Sequence, residues 1–308
     1  MPDNEIIIAT RQSKLALWQA NFIAEQLRVA HPSLSVSLLP MTTKGDRLLD
    51  DSLAKIGGKG LFIKELEAAL LAGQAHIAVH SMKDVPAEMP EGFALPVIGF
   101  RADPRDALVG GNYRSLAELP QGARVGSSSL RRQSQLLHLR PDLELLPVRG
   151  NVGTRLGKLD DDEYDALVLA AAGLDRLGLA DRINARLLLQ ECLPAVGQGA
   201  LGVECLAGDE RVAELLRPLD GEVDHACVAA ERALSLALGA SCTTPLGGFA
   251  SVDDGSGLLH LRAVLAAPDG SELLRAQHQA REPELLGQTV AKALLEQGGK
   301  RILDQLAP

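Results

Sequence analysis

Lys83 and Asp84 stand side by side where an apolar segment gives out. Ala75-His76-Ile77-Ala78-Val79 reads as a short buried strand, His80-Ser81-Met82-Lys83-Asp84-Val85-Pro86 follows it, and Pro86 cannot continue a central strand. A loop therefore opens near Ser81. Loops at the carboxyl ends of strands in open α/β sheets are where ligands bind, so a carboxylate there is placed to move a proton or to face a developing positive charge. The competing reading is a solvated Lys–Asp pair in a turn, which is worth little and does no chemistry. Cys242 offers a second reactive group. It lies three residues past Gly239 in the small-residue loop Gly239-Ala240-Ser241-Cys242-Thr243-Thr244-Pro245, where a thiol is either incidental or a nucleophile.

Arginines form the third chemical element. Residues 5 to 9 read as a buried strand, followed by Thr10-Arg11-Gln12-Ser13 and a helix to about Ala30 with Ser13 at its N-cap. Ala123 to Gly126 is a short strand running into Ser127-Ser128-Ser129-Leu130-Arg131-Arg132, where a serine caps the next helix. Leu143 to Val148 is another strand, and Arg149-Gly150-Asn151 leads to a helix bearing Arg155, with Asn151 as cap. Helix N-termini present free N–H groups and a positive dipole end, and arginine adds a bidentate fork, so each junction suits a carboxylate or phosphate. Ordinary capping with a solvated arginine explains any one of them. Three at the same topological place favour anion binding.

The elements that must carry these groups alternate between strand and helix. Ser33 to Leu39 reads as a strand, 41 to 60 as a polar, glycine-rich loop, and Leu61 to Leu71 as a helix burying Phe62, Leu66, Ala69 and Leu70. Phe93 to Phe100 is a strand leading to Arg101-Ala102-Asp103-Pro104-Arg105, a crossing point into a second domain. Asp165 to Leu174 is a buried strand passing into a helix with Arg176. Gly197-Gln198-Gly199-Ala200-Leu201-Gly202 matches the letters of a dinucleotide fingerprint but lacks the strand before and the helix after, and Leu201 to Cys205 is itself strand-like. Gly58-Lys59-Gly60 lacks the spacing of a phosphate-binding loop. His76 and His80 lie about 13 Å apart on a strand, too far to share an ion, and no metal is expected from them. From Glu222 to Leu238 a helix buries Val223, Ala226, Cys227, Ala230, Ala233, Leu234 and Ala237, and Gly239 ends it. Three strands near 249–252, 258–265 and 272–279, then a helix from Pro283 to Leu295, complete a small α+β domain.

Bulk properties narrow the function classes. The 308 residues are 46% hydrophobic and 23% charged, which suits a globular chain of two or three domains. A net charge of −9 with 3% aromatic residues disfavours a general nucleic-acid binder, so any basic cluster is local. The acidic start and the lack of an apolar run near 20 residues point to a cytoplasmic protein without a membrane partner. The cysteines at 192, 205, 227 and 242 contain no C-x-x-C pair, so zinc-ribbon and redox-pair readings fall away and free thiols remain.

Taken in order, these segments resemble the porphobilinogen deaminase (hydroxymethylbilane synthase) family. The likeness rests on Ile8-Ala9-Thr10-Arg11-Gln12-Ser13, Lys59-Gly60-Leu61-Phe62, His80 to Pro86, Val125 to Gln133, Arg149-Gly150-Asn151-Val152, Leu193 to Gly199 and the Cys242 loop, and it covers nearly the whole chain. The resemblance implies an α/β fold of two doubly wound mixed-sheet lobes like those of periplasmic binding proteins, plus the α+β C-terminal domain with a three-stranded sheet. Domain 1 would span 1–99 and 200–218, domain 2 105–193, and domain 3 222–308. It also implies a monomeric transferase of tetrapyrrole and haem biosynthesis that condenses four porphobilinogen molecules stepwise, releases ammonia at each step, and frees hydroxymethylbilane by hydrolysis.

The primer in that family is a dipyrromethane cofactor held by a thioether, here matched to Cys242, and the catalytic carboxylate that meets pyrrole N–H groups as an azafulvene forms is matched to Asp84. Cofactor-binding positions match Lys83, Ser127, Ser129, Arg131, Arg132, Arg155 and Asp46. Substrate-binding positions match Arg11, Ser13, Gln19, Arg149, Arg176 and Gln198, and a mobile loop over the cleft would carry Lys55, Lys59 and Phe62. Residue chemistry agrees with this: each pyrrole carries an acetate and a propionate, so six rings bring about twelve negative charges that need local cations. One departure is Ala240-Ser241 ahead of the cysteine, where the family often has glycine.

Two other classes compete. A two-lobed binding protein for small anionic ligands would use the arginines but has no use for Asp84 and Cys242. A pyridoxal-phosphate enzyme would use Lys83 as an imine former and would carry a visible chromophore.

Overall fold

The computed structural model describes residues 4–43, 63–241 and 243–306. Asp46, Lys55, Lys59, Phe62 and Cys242, singled out above, lie outside the described residues. The chain divides into two compact units, Met1–Arg101 with Ala200–His225 and Ala102–Gly199 with Ala226–Pro308. In chain order the elements are β1 (Glu5–Arg11), α1 (Lys14–Ala30), β2 (Ser35–Met41), α2 (Lys64–Leu71), β3 (Ile77–Ser81), β4 (Phe93–Gly99), β5 (Asp106–Val109) and β6 (Arg124–Gly126). Then come α3 (Leu130–Leu139), β7 (Glu144–Leu146), α4 (Val152–Asp160), β8 (Ala166–Ala170), α5 (Ala171–Arg176), β9 (Ala185–Arg186), β10 (Leu201–Leu206) and α6 (Glu210–Leu216). The chain closes with α7 (Glu222–Ala237), β11 (Leu246–Val252), β12 (Leu259–Ala266), β13 (Leu273–Ala280), α8 (Pro283–Leu294) and α9 (Lys300–Asp304). No helix among the described residues is long and apolar enough to cross a membrane.

The first unit holds a five-stranded sheet ordered β2-β1-β3-β10-β4. β1 runs parallel to β2 and β3, whereas β10 is antiparallel to β3 and β4. A strand covered on both faces must be apolar on both, and Ile6, Ile8 and Ala9 in β1 are fully buried. α1 turns Ala20, Ile23, Ala24 and Leu27 onto that sheet, a helical spacing of three, one and three.

The second unit repeats the plan as β7-β6-β8-β5-β9, with β6 parallel to β7 and β8 and β5 antiparallel to its neighbours. In each sheet the reversed strand, β10 or β5, is the first one made after the chain crosses between units. The same unit contains the antiparallel sheet β11-β12-β13, covered by α8 through Leu286, Val290, Ala291 and Leu294.

Three features differ from the sequence reading. β5 was not foreseen. β3 runs on to Ser81 and ends in one tight 3-10 turn over Met82–Asp84, so the segment is a pinned corner where an open loop was expected. In α7 the buried residues are Cys227, Val228, Ala230, Glu231 and Leu234, while Val223 is 59% exposed and Ala237 is also exposed. The face is rotated because the fully buried Glu231 accepts hydrogen bonds from the backbone N–H groups of Gly197 (2.6 Å) and Ala250 (2.7 Å), and Val223 stands a turn ahead of the packed part.

Candidate functional site

In the first unit the register Ile8–Ile77 and Ala9–Ala78 brings the ends of β1 and β3, and with them Arg11 and Ser81, to one edge of the sheet. Ser13 begins α1 as expected: its Oγ accepts the Ala16 N–H at 3.3 Å. The buried Gln19 on α1 donates from Nε2 to Ser81 Oγ at 2.7 Å, which ties the helix to the end of β3. Beyond Ser81 the chain is held twice, by Met82 N–H to Ala200 O (3.0 Å) and by Val85 N–H to Met82 O (3.2 Å). Met82 and Val85 point inward, Met82 lying over Gly202, where an added Cβ would meet Met82 Sδ at 2.3 Å. Lys83 and Asp84 between them are consequently turned out and exposed. Asp84 makes no hydrogen bond or ion pair with a described residue, so its oxygens are open to a ligand. Just before the corner, His80 and His76 are engaged separately, His80 with Glu204 and His76 Nδ1 as acceptor of the Ile7 N–H at 2.9 Å.

In the second unit the arginines are organised by a residue the sequence reading missed. Asp106, fully buried at the start of β5, accepts from Arg131 Nη1 (2.8 Å) and Cys192 Sγ (3.3 Å) on Oδ2, and from Arg132 Nη2 (2.8 Å) and Gln198 Nε2 (2.9 Å) on Oδ1. Burial would raise the Asp106 pKa, but the adjacent Arg131 and Arg132 charges reverse this and hold the carboxyl far below the usual range. The Cys192 thiol is pushed up to about 12, by burial first and then by the Asp106 charge. Arg131 and Arg132 are both buried, yet the Nε–H of each has no hydrogen-bond partner among the described residues. Arg131 Nη1 also reaches Leu193 O at 2.7 Å, and Gln198 Nε2 reaches Pro104 O at 2.7 Å.

The remaining expected positions surround β6, β7 and β8. Ser129 occupies the N-cap place of α3 but its side chain makes no cap bond, which corrects the expected capping serine; instead the buried Ser127 offers its Oγ to the Ser129 N–H at 3.3 Å. Asn151 does cap α4, accepting from Thr154 N–H at 3.0 Å. Arg155 Nε donates to Gly150 O at 2.8 Å. Arg149, half-buried, makes no hydrogen bond or ion pair with a described residue. Arg176 Nη2 donates to Gly199 O at 2.7 Å, and burial pushes its pKa down to about 10, which leaves it charged at neutral pH. The stem of the Cys242 loop is cross-tied: Ser241 N–H donates to Thr244 Oγ1 (2.9 Å) and Thr244 N–H to Ser241 O (2.9 Å). Positive φ among described non-glycine residues falls at Phe100 and Asp162, so Ala240 and Ser241 keep ordinary backbone where a glycine could have stood.

Two family models match: "Porphobilinogen deaminase, dipyromethane cofactor binding domain" over residues 6–214 and "Porphobilinogen deaminase, C-terminal domain" over 225–296. The chain belongs to the porphobilinogen deaminase family. A curated relative, the porphobilinogen deaminase of Thiobacillus denitrificans, is 55% identical over 303 residues and 98% of each chain. Among solved structures the chain is similar to the methionine-binding protein MetQ (13% identity, TM-score 0.45, 75% of this chain and 96% of that one). It is also similar to a putative methionine-binding lipoprotein of Bacillus subtilis (13%, TM-score 0.44, 70% and 90%). Family membership favours the transferase reading over the binding-protein alternative.

Three buried carboxylates lay outside the sequence reading, Asp106, Glu204 and Glu231, whereas Cys192 is a buried free thiol as expected. Asp106 follows Arg101-Ala102-Asp103-Pro104-Arg105, the expected crossing point into the second domain, and only its long-range partners show what it does. Glu231 carried a weak signal, a carboxylate interrupting the apolar stripe of a helix.

Proposed function

We propose that this chain condenses four porphobilinogen molecules, with loss of ammonia at each step, onto a dipyrromethane attached at Cys242, and releases hydroxymethylbilane by hydrolysis. When bound, dipyrromethane supplies the nucleophilic pyrrole carbon from which the chain grows. The observation that carries the reading is the arginine pair of the second unit. Two guanidiniums share one carboxylate, so one positive charge is left over, and two buried Nε–H donors lack partners among the described residues. A buried unpaired donor is costly, and a ligand carboxylate removes that cost. The acetate and propionate groups of dipyrromethane fit such a place, and Ser127, Ser129 and Arg155 are assigned to the same cofactor. Lys83 and Asp46 serve the same cofactor.

Asp84 is the catalytic carboxylate. Exposed and unpaired among the described residues, it faces the cation that develops on porphobilinogen as ammonia departs, and it accepts from the pyrrole N–H. Arg11, Ser13, Gln19, Arg149, Arg176 and Gln198 take substrate carboxylates and N–H groups, Arg149 having its donors open. Residues 1–99 with 200–218, 105–193 and 222–308 act as the three domains of a monomeric cytoplasmic enzyme. The test is stoichiometry: four ammonia released per linear tetrapyrrole from porphobilinogen supports the reading, and reversible binding of porphobilinogen without ammonia release overturns it.

A further inference from the structure

Asp106 has a role separate from anything that touches substrate. Its carboxylate has about four acceptor sites, and four donors from the chain fill them: Arg131, Arg132, Gln198 and Cys192. With 0% exposure and no acceptor site to spare, it cannot meet a ligand itself. It is an internal counter-ion. Arg131 and Arg132 are adjacent in the first turn of α3 and both buried, so without a shared negative charge they would repel each other in a medium that screens poorly. A guanidinium is planar and rigid, so anchoring one Nη on a fixed oxygen sets the direction of its remaining donors. Asp106 Oδ1 fixes Arg132 and Oδ2 fixes Arg131, and Leu193 O holds Arg131 from a second side.

We propose that Asp106 is a positioning residue for dipyrromethane capture: it keeps the Arg131 and Arg132 donors in register and trims the charge of the pair to a single positive unit, matched to one carboxylate. This rests on the proposed function, because it assigns the pair to that cofactor.

The test is the intact mass of purified protein, as isolated and after incubation with porphobilinogen, for wild type, Asp106→Asn and Leu136→Ala. Leu136 is a fully buried residue of the same helix with no charge, so its variant reports the effect of lost packing alone. Asp106→Asn is expected to stay folded by circular dichroism yet acquire the two-ring adduct on the order of tenfold more slowly or less completely, as breaking a buried charge pair does to binding. Leu136→Ala is expected to melt lower while loading as wild type does. Wild-type loading by Asp106→Asn overturns the proposal, and so does a loading defect in Leu136→Ala that matches its loss of thermal stability. If Asp106→Asn does not fold, Asp106→Glu decides, since it keeps the charge and shifts it by one methylene: slow loading is expected, and wild-type loading overturns the role. A wild-type protein that never carries the adduct contradicts the proposed function instead.

Discussion

His80 Nε2 lies 2.8 Å from Glu204 Oε2, and both side chains are buried in the first unit, His80 on the strand that runs into the corner carrying Asp84. Glu204 Oε1 has no hydrogen-bond partner among the described residues, and Glu67 nearby has its carboxyl pushed up by burial and by the Glu204 charge. Replacing His80 by Leu therefore leaves a buried carboxylate with neither oxygen paired. The expected loss is about 3–5 kcal/mol of unfolding free energy, with much of it restored in His80→Leu/Glu204→Leu. Urea unfolding measures both; a single-variant loss below about 1 kcal/mol contradicts the assignment of this pair as a buried anchor.

Gly202 is the floor under Met82. An alanine there puts a methyl 2.3 Å from Met82 Sδ, so the Met82 side chain, which packs under the turn, has to move. Gly202→Ala should lower stability by about 1–3 kcal/mol and, on the role proposed for Asp84, reduce turnover as well, because the displaced Met82 side chain supports the turn that carries Asp84. Calorimetry and steady-state rates are the readouts, and a variant normal in both shows that the turn is not held by this contact.

Asp84→Asn separates chemistry from folding. An exposed side chain with no partner among the described residues contributes little to stability, so the unfolding midpoint should stay within about 0.5 kcal/mol of wild type. Turnover should fall on the order of a hundredfold or more, the scale at which a charge stabilising a developing cation acts. Near-normal turnover would refute the role given to Asp84.

The buried thiols make stability fall at alkaline pH. Cys192 is held protonated to about 12 and Cys205 to about 11, burial being the main cause for each, against 9.0 for an ordinary thiol. Their folded-state values are raised, so between pH 9 and 11 the unfolded chain releases protons that the folded chain keeps. Stability is fully present below about 9 and declines above it, by at most about 1.4 kcal/mol per pH unit per thiol. Urea midpoints at pH 8 and pH 10 should show the decline, and Cys192→Ala should flatten it; an equal slope in that variant rules the thiol out as its source.

The parts legible from sequence are those with local causes. Ser13 and Asn151 bond to N–H groups three residues on, so their caps follow from adjacent letters. Ser129 holds the N-cap place without a side-chain cap bond, while the Ser127 Oγ accepts the Ser129 N–H, an arrangement that three consecutive serines cannot reveal. Asp106 and the four-residue β5 are defined by partners far along the chain: β8 and β9 for the strand, α3 and the 192–198 segment for the side chain. The corner at Lys83-Asp84 sits between. Its exposure follows from buried Met82 and Val85 on either side, but its two anchors, Ala200 O and the missing side chain of Gly202, come from a strand about 120 residues later.

Intact mass of the purified protein tests the central claim most directly. Wild type should weigh more than its polypeptide by two pyrrole units, survive denaturation with that adduct attached, and gain further pyrrole increments when porphobilinogen is added. Cys242→Ala should show the bare polypeptide mass and no increments. An unmodified wild type that still makes hydroxymethylbilane, or an adduct that persists in Cys242→Ala, contradicts the account.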